Sequence, residues 1–579
     1  MKTALTIAGS DSSGGAGIQA DLKTFSVLGV YGMTAITAVT AQNTLGVKEV
    51  VEMTPAFVRN QIDTTTSDIS ADATKTGMLV NAEMIEVVED CITRNKLQPY
   101  VCDPVMVSKS GASLLKKDAV SAMVRMLFPL ATIVTPNLRE AAALTGVDRI
   151  DPNIAPAKDA AKRIIGLDAK AQGVDRVNPL KLMMIGGMQE PMGYEIPSAR
   201  KIFGEITVPK IMAGRVRTLE EAEQLLREGG LDMVGMVRAQ IADPDLIRKT
   251  LEGRADQVRP CIACNQGCIG GVMRGTGLGC TVNAAAGFEA EYSEDLITPT
   301  RSPKRVVIVG GGPAGMEAAR VARLCGHETT LFEAAPTLGG AITAAQKPAR
   351  QHALGDITAW LESEVYRLGV DVRLSTYVEA SDLEALGADV ILVATGSRPR
   401  MDGWQVCDPS SPASGVEMPH VLSSIDLLMS PPAILGTTAL VVDNVGHFEA
   451  SVVAIDLIEK GLAVTMLTST REYAPYVRTT DRDDSMLEQL YRGDFTLLVN
   501  HKLEEIRSGE CVVRPMPSNR TRTIPADLVV LVTPNMPNRE LFDELKQPKG
   551  KAILIGDAKS PRDLQMAIRD GHRAARAIA

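Results

Sequence analysis

Val306-Val-Ile-Val-Gly-Gly-Gly-Pro-Ala-Gly315 is the stretch that decides the architecture of this chain. Four β-branched residues make a buried-strand pattern, and glycines follow at once in the order Gly310-x-Gly312-x-x-Gly315. Glycines so placed allow a tight turn and let a pyrophosphate approach bare N–H groups at a helix N-terminus. Glu333 ends the next strand 18 residues after Gly315, where a carboxylate suits a ribose hydroxyl. A turn with no ligand is the bland alternative, and the strand before and helix after count against it. Residues 305–396 read as one βαβ dinucleotide unit.

Two later runs complete it. Asp389-Val-Ile-Leu-Val-Ala-Thr-Gly396 is a strand ending in small residues, and Ile553-Leu-Ile-Gly-Asp557 is a strand ending in an acid. Between them, residues 439–470 form a second, altered βαβ unit. Its turn, Leu440-Val-Val-Asp-Asn-Val-Gly-His-Phe-Glu449, lacks the three-glycine spacing. Asp443 and Asn444 stand where a pyrophosphate needs bare backbone, and Asp443 would repel it. Upstream lie Cys261, Cys264, Cys268 and Cys280, spaced C-x2-C-x3-C-x11-C. Thiolates grouped this closely can hold an iron–sulfur cluster. Zinc stays open as the alternative, although zinc knuckles usually bring two C-x2-C pairs.

At 579 residues the chain holds several domains. A net charge of −9 and 3% aromatics argue against nucleic acid as a partner. No apolar run approaches the ~20 residues of a membrane helix. Met1-Lys-Thr-Ala-Leu-Thr-Ile-Ala-Gly9 lacks the long apolar core of a signal peptide, so a cytoplasmic location is expected, with no membrane partner. Cys91, Cys102, Cys325, Cys407 and Cys511 are scattered and read as buried or incidental thiols.

The first 165 residues alternate strands (4–8, 34–40, 100–103, 131–135) with helices (20–28, 82–94, 115–127), which implies a doubly wound parallel sheet. After a junction at 166–180, strand 208–214, helix 218–228, strand 231–235 and helix 244–252 follow in the manner of a barrel's last quarter. Thr218 and Glu221 form a capping box on the first of these helices. Residues 281–304 read as a linker and 402–420 as loop.

The motifs at Gly310–Gly315, Gly396 and Gly556-Asp557 resemble the FAD domain of the two-dinucleotide flavoprotein disulfide reductases. That resemblance implies Gly310, Gly312, Gly315, Glu333, Gly396, Gly556 and Asp557 as FAD-binding residues. Residues 171–579 resemble the 2,4-dienoyl-CoA reductase and trimethylamine dehydrogenase branch of the old yellow enzyme family. The carrying stretches are Ala213-Gly-Arg215, Asp232-Met-Val-Gly-Met-Val-Arg238, Ala242-Asp-Pro244, Arg259-Pro-Cys-Ile-Ala-Cys-Asn-Gln-Gly-Cys268 and Cys280-Thr-Val-Asn283. The resemblance implies a 4Fe–4S cluster on the four cysteines and an FMN phosphate on Gly214, Arg215, Gly235 and Arg238. The family's earlier barrel strands, with the flavin-ring contacts and proton donor, have no counterpart here. Weak or absent FMN binding and poor use of NAD(P)H are therefore expected.

Residues 1–165 resemble hydroxymethylpyrimidine/phosphomethylpyrimidine kinase of thiamine biosynthesis, a ribokinase-like fold. The carrying stretches are Ala8-Gly-Ser-Asp-Ser-Ser-Gly-Gly-Ala-Gly-Ile-Gln-Ala-Asp-Leu-Lys-Thr-Phe25, Ala41-Gln-Asn43, Lys75-Thr-Gly-Met78, Asp103-Pro-Val-Met106 and Thr135-Pro-Asn-Leu-Arg-Glu140. The resemblance implies Gln42 and Met78 at a pyrimidine, and Asp21 and Asp103 as catalytic groups near its hydroxymethyl or a metal. It places Asn137 and Glu140 at Mg-ATP. The family's C-terminal third, with its anion-hole loop and basic cysteine, is echoed only by Gly275-Thr-Gly-Leu-Gly-Cys280, whose Cys280 is assigned to the cluster.

The expected fold is α/β. A truncated ribokinase-like sheet (1–165) precedes a partial TIM-barrel segment (171–258) and the cysteine segment with its linker (259–300). Two Rossmann-like domains follow, one for FAD (301–400 plus 520–579) and one degenerate and NAD(P)-like (401–519). The expected function is an iron–sulfur flavoprotein oxidoreductase of the old yellow enzyme type fused to a kinase-like domain, acting on small molecules. A thiamine-pathway kinase and a nonfunctional fusion of two truncated enzymes stay open, as do an electron-transfer partner protein and homo-oligomerisation.

Overall fold

A computed structural model describes residues 1–27, 29–43, 46–106, 117–135, 140, 144, 186–196, 210–516, 518–545 and 551–578. The chain divides into two units. The first comprises residues 1–184, 195–214 and 223–235; the second comprises 185–194, 215–222 and 236–579.

In the first unit, Thr3–Ala8 is buried on both faces, as a central parallel strand must be. The sheet runs Tyr31–Ile36, Thr3–Ala8, Ala73–Thr76, Tyr100–Cys102, Ile133–Val134, with all neighbours parallel. Helix Ala82–Arg94 starts where Asn81 Oδ1 accepts from the Met84 N–H, and it buries Met84, Ile85, Val88, Cys91 and Ile92. The strand expected over 34–40 is two strands. Thr37 is buried, and its hydroxyl donates to the Met78 carbonyl at 2.7 Å. That bond turns the chain out of the sheet, and Ala38–Asn43 pairs antiparallel with Gly46–Glu52 instead. Strands Ile211–Ala213 and Met233–Gly235 pair in parallel. Helix Leu219–Gly229 lies between them in sequence, and Val237–Ala242 and Leu246–Leu251 follow, the last within the span expected as a helix over 244–252.

In the second unit, a parallel sheet runs Asp371–Arg373, Glu328–Phe332, Arg305–Val309, Val390–Val393, Lys551–Leu554. A second parallel sheet is inserted between Val393 and Lys551: Val421–Ser423, Leu528–Val532, Thr438–Asp443, Ala463–Thr468, Phe495–Leu498. A three-stranded antiparallel sheet accompanies it: His501–Arg507, Glu510–Pro515, Arg522–Pro525. Apolar runs such as Val-Ile-Leu-Val at 390–393 are wholly buried, which explains why they read as strands without alternation.

Residues 281–304, read as a linker, are packed. Val282, Ala284 and Ala286 are buried. Glu294 bridges Arg259 and Arg320, the latter 2.8 Å away on helix Pro313–Leu324. Burial pushes the Glu294 carboxyl up, and the two guanidinium groups more than reverse this. Glu317 is wholly buried between Arg320 (2.9 Å) and His572 Nδ1 (2.9 Å). Burial raises its carboxyl too, but Arg320 and His572 hold it down at about 2. This network, exposed at Glu294 and buried at Arg259, Arg320, Glu317 and His572, ties the segment after the cysteines to the first sheet's helices. Among the described residues, no helix is long and apolar enough to cross a membrane.

Candidate flavin and cysteine sites

The glycine turn has the geometry its spacing implies. Gly310 has φ +110°, and a Cβ there would lie 2.3 Å from the Ala394 carbonyl oxygen. A Cβ on Gly315 would lie 1.9 Å from the Gly310 carbonyl oxygen. These contacts seat helix Pro313–Leu324 tightly on the strands, with its N-terminus opening at the sheet's C-terminal edge. Glu333 Oε2 accepts from the Gly311 N–H at 2.6 Å, and Oε1 accepts from the Ala335 N–H at 2.8 Å. The acidic residue and the turn therefore meet. Gly396 (φ +74°) and Gly556 (φ +58°) end neighbouring strands of the same sheet. Asp557 follows; burial raises its carboxyl, while the Arg562 N–H and Ser397 hydroxyl stabilise its charge. All seven residues assigned to FAD thus gather at one sheet edge.

Cys261, Cys264, Cys268 and Cys280 line one pocket, together with Arg238, Ile241, Asn265 and Thr281. Burial pushes the Cys268 thiol up to about 11 and the Cys280 thiol to about 12, and neighbouring Cys264 adds to both. Burial raises Cys261 as well, and Arg238 opposes it. Backbone N–H groups face these sulfurs: Ala263 to Cys261 at 3.4 Å, Ile269 to Cys268, and Val282 and Asn283 to Cys280. Ala263 and Asn265 have φ of 51° and 62°, which wraps the loop around the cavity. Among the described residues, no three His, Cys, Asp or Glu side chains are close enough to share one metal ion. A cluster asks for something different, since each thiolate takes its own iron. Four thiols, Cys264 buried and the other three half-buried, with N–H donors and a nearby guanidinium fit such a group.

Arg215 and Arg238, assigned to an FMN phosphate, lie in the second unit; Gly214 and Gly235 end strands of the first. Arg215 donates to the Glu190 carbonyl, and Arg238 donates to Asn265 Oδ1 at 2.6 Å. Thr218 and Glu221 form the expected capping box, with the Glu221 N–H donating to Thr218 Oγ1 at 3.1 Å.

At the second nucleotide turn, Asp443 is buried and its Oδ1 takes the Val445 and Gly446 N–H groups at 2.9 and 2.7 Å. Those are amides that a pyrophosphate would need. Oδ2 is buried without a partner, and burial raises the carboxyl's pKa.

In the first unit, Asp21 and Asp103 converge on Lys75. Lys75 Nζ lies 3.1 Å from both Asp21 oxygens and 3.4 Å from Asp103 Oδ2. Thr6 donates to Asp21 at 2.7 Å and Thr135 to Asp103 at 3.3 Å. Met78 packs beside Gly9, where any Cβ would meet its sulfur at 3.6 Å. The Gln42 N–H donates to Ser12 Oγ at 3.2 Å, and Glu140 is buried and accepts from the Met106 N–H at 3.4 Å. Asn137 lies outside the described residues. Lys75 was not singled out from sequence, although it opens the Lys75-Thr-Gly-Met78 stretch.

An α/β chain with a glycine-turn flavin edge in one unit and a paired-aspartate site in the other joins two enzyme classes. Residues 276–420 match the pyridine nucleotide-disulphide oxidoreductase family, and residues 11–174 match phosphomethylpyrimidine kinase. The chain thus joins an N-terminal segment similar to phosphomethylpyrimidine kinases to a segment similar to pyridine nucleotide-disulphide oxidoreductases. It is 30% identical over 417 residues to the bilirubin reductase of Mediterraneibacter gnavus, covering 70% of this chain and 62% of that protein. It is 49% identical over 166 residues to the thiamine biosynthesis bifunctional protein ThiED of Geobacter sulfurreducens, covering 29% of this chain and 34% of that protein. The chain spans 54–62% of the length of the oxidoreductases first matched. In fold it is similar to 6-hydroxypseudooxynicotine amine oxidase from Pseudomonas geniculata, with a TM-score of 0.71 and 20% identity over 99% of this chain and 96% of that one.

Proposed function

We propose that the second unit is an FAD- and iron–sulfur-dependent oxidoreductase acting on a small organic substrate. The observation that carries this is the four-thiol cavity in the same unit as the intact glycine turn. FAD would supply two-electron chemistry and a 4Fe–4S cluster one-electron relay. The chain's own residues would do the holding. The N–H groups of Gly312 and Ala314 would meet the pyrophosphate, and Glu333 would exchange its bond to Gly311 for a ribose hydroxyl. Asp557 reaches the ribityl chain, and Cys261, Cys264, Cys268 and Cys280 each hold one iron. Arg215 and Arg238 suit a phosphate, but the family's earlier barrel strands, which would cradle a second flavin ring, have no counterpart in the sequence. Asp443 caps its own turn and disfavours NAD(P)H, so an electron-transfer protein suits the role of redox partner. Replacing Cys264 with Ser should abolish iron binding and leave FAD largely bound. Unchanged iron content in C264S would refute the assignment.

The Asp21–Lys75–Asp103 constellation supports a second reading for the first unit. It would bind a hydroxymethylpyrimidine beside Gln42 and Met78, with Asn137 and Glu140 toward Mg-ATP, and transfer phosphate poorly for want of an anion-hole loop.

A further inference from the structure

Arg482 is 218 residues from Cys264 in sequence and stands in no motif, yet its side chain reaches the cysteine loop. It is 1% exposed. Its Nε donates to Gln189 Oε1 at 2.8 Å and its Nη1 to the Cys264 carbonyl at 3.4 Å. The Phe448 ring lies 4.2 Å from its Cζ, and its Nη2 is buried with no acceptor. Cys264, Tyr473 and Arg215 bear electrostatically on it, and among the described residues no ion pair joins it to a carboxylate. Tyr473 gives its own hydroxyl proton to Ser451 at 2.8 Å.

A guanidinium stays charged in proteins. Left buried without a counter-charge, it costs several kcal/mol. Arg238 lines the cysteine pocket itself, while Arg482 stands behind the loop at the Cys264 carbonyl, so both guanidinium groups add positive potential at the cysteines. Among the described residues, the hydrogen-bonded neighbour of Arg482 that can gain negative charge is the cysteine loop, through Cys264. Four thiols that lose their protons on loading place that charge beside Arg482.

We infer that Arg482 is the buried counter-ion of the cysteine-held cluster, contributed by the second nucleotide-type domain, and that it raises the cluster's reduction potential. The inference rests on the cluster reading above. A fixed positive charge favours the reduced cluster, which carries one more negative charge than the oxidised one. Reduction adds one electron to the cluster from an external dye or dithionite, and Arg482 exchanges neither protons nor electrons.

The test is an anaerobic potentiometric titration of the full chain, followed by electron paramagnetic resonance, on wild type, R482Q and R482K. In R482Q the oxidised-to-reduced ratio at a fixed poise should rise at least tenfold, ~59 mV for a one-electron couple. R482K keeps the charge and should stay close to wild type. R482Q with intact iron and the wild-type potential overturns the inference. Where R482Q does not load, R482K decides: a tenfold shift there also overturns it, and a wild-type potential supports it. A wild-type chain that binds no iron overturns the cluster reading and this inference together, an outcome distinct from an unshifted potential.

Discussion

Replacing Gly315 with Ala probes the flavin edge at its tightest point. The added Cβ would start 1.9 Å from the Gly310 carbonyl oxygen, and contacts under 3.0 Å are essentially never seen. Helix Pro313–Leu324 must therefore shift by about 1 Å, or the turn must open. Neither has room. The helix is backed by Leu564–Arg576, where a Cβ on Gly571 would already lie 2.2 Å from the Ala314 carbonyl oxygen. The turn is backed by Ala394, whose carbonyl meets Gly310. Overpacking of this kind costs ~1–3 kcal/mol. If half of it falls on the nucleotide-binding turn, FAD affinity drops roughly 2- to 12-fold. The assay is fluorescence titration of the apoprotein with FAD, alongside thermal unfolding. Gly461→Ala is the control: its φ of +90° brings strain of ~1 kcal/mol, but no atom lies within 4 Å and it is far from the turn in sequence. G315A binding FAD within twofold of wild type, with an unchanged Tm, would refute the close-approach argument.

Three further outcomes are expected. Glu317→Gln leaves Arg320 and His572 without their buried carboxylate and should cost ~3–5 kcal/mol in chemical denaturation. In wild type, Glu317's folded pKa of about 2 lies below the ordinary 4.5, so its stabilisation is present above pH ~4.5 and fades as pH falls toward 2; a flat stability profile across that window in wild type would contradict this. Steady-state assays should show poor NADPH oxidation, because Asp443 occupies the Val445 and Gly446 amides; micromolar NADPH affinity would count against that reading. The first unit should complement a thiamine auxotroph lacking the pyrimidine kinase weakly or not at all, since losing even one oxyanion donor costs ~100-fold in rate; robust growth that is lost on Asp103→Ala would reverse the view.

The parts of the fold legible in sequence were those fixed locally. The strand at 305–309 and its turn were readable because glycine spacing and a β-branched run act within ten residues of each other. The inserted second domain was readable because its flanks, Asp389–Gly396 and Ile553–Asp557, each end a strand in diagnostic small or acidic residues. The split of the 34–40 run was not readable, because the cause is a hydrogen bond from Thr37 to Met78, 41 residues away. The packing of 281–304 was hidden for a similar reason: its polar composition reads as linker, yet Glu294 meets cations at 259 and 320. Lys75 could have been found from its stretch, since a lysine near the end of strand Ala73–Thr76 can bridge Asp103, just past the neighbouring strand, and Asp21 on helix Gly17–Val27. Arg482 could not, because nothing near it in sequence marks its approach to Cys264.

The central claim is that Cys261, Cys264, Cys268 and Cys280 hold an iron–sulfur cluster in a unit that also binds FAD. Iron, acid-labile sulfide, zinc and flavin per chain in anaerobically purified protein test it most directly. About four iron and four sulfide with one FAD per chain is the predicted result. One zinc per chain without iron, or iron without any flavin, would contradict it.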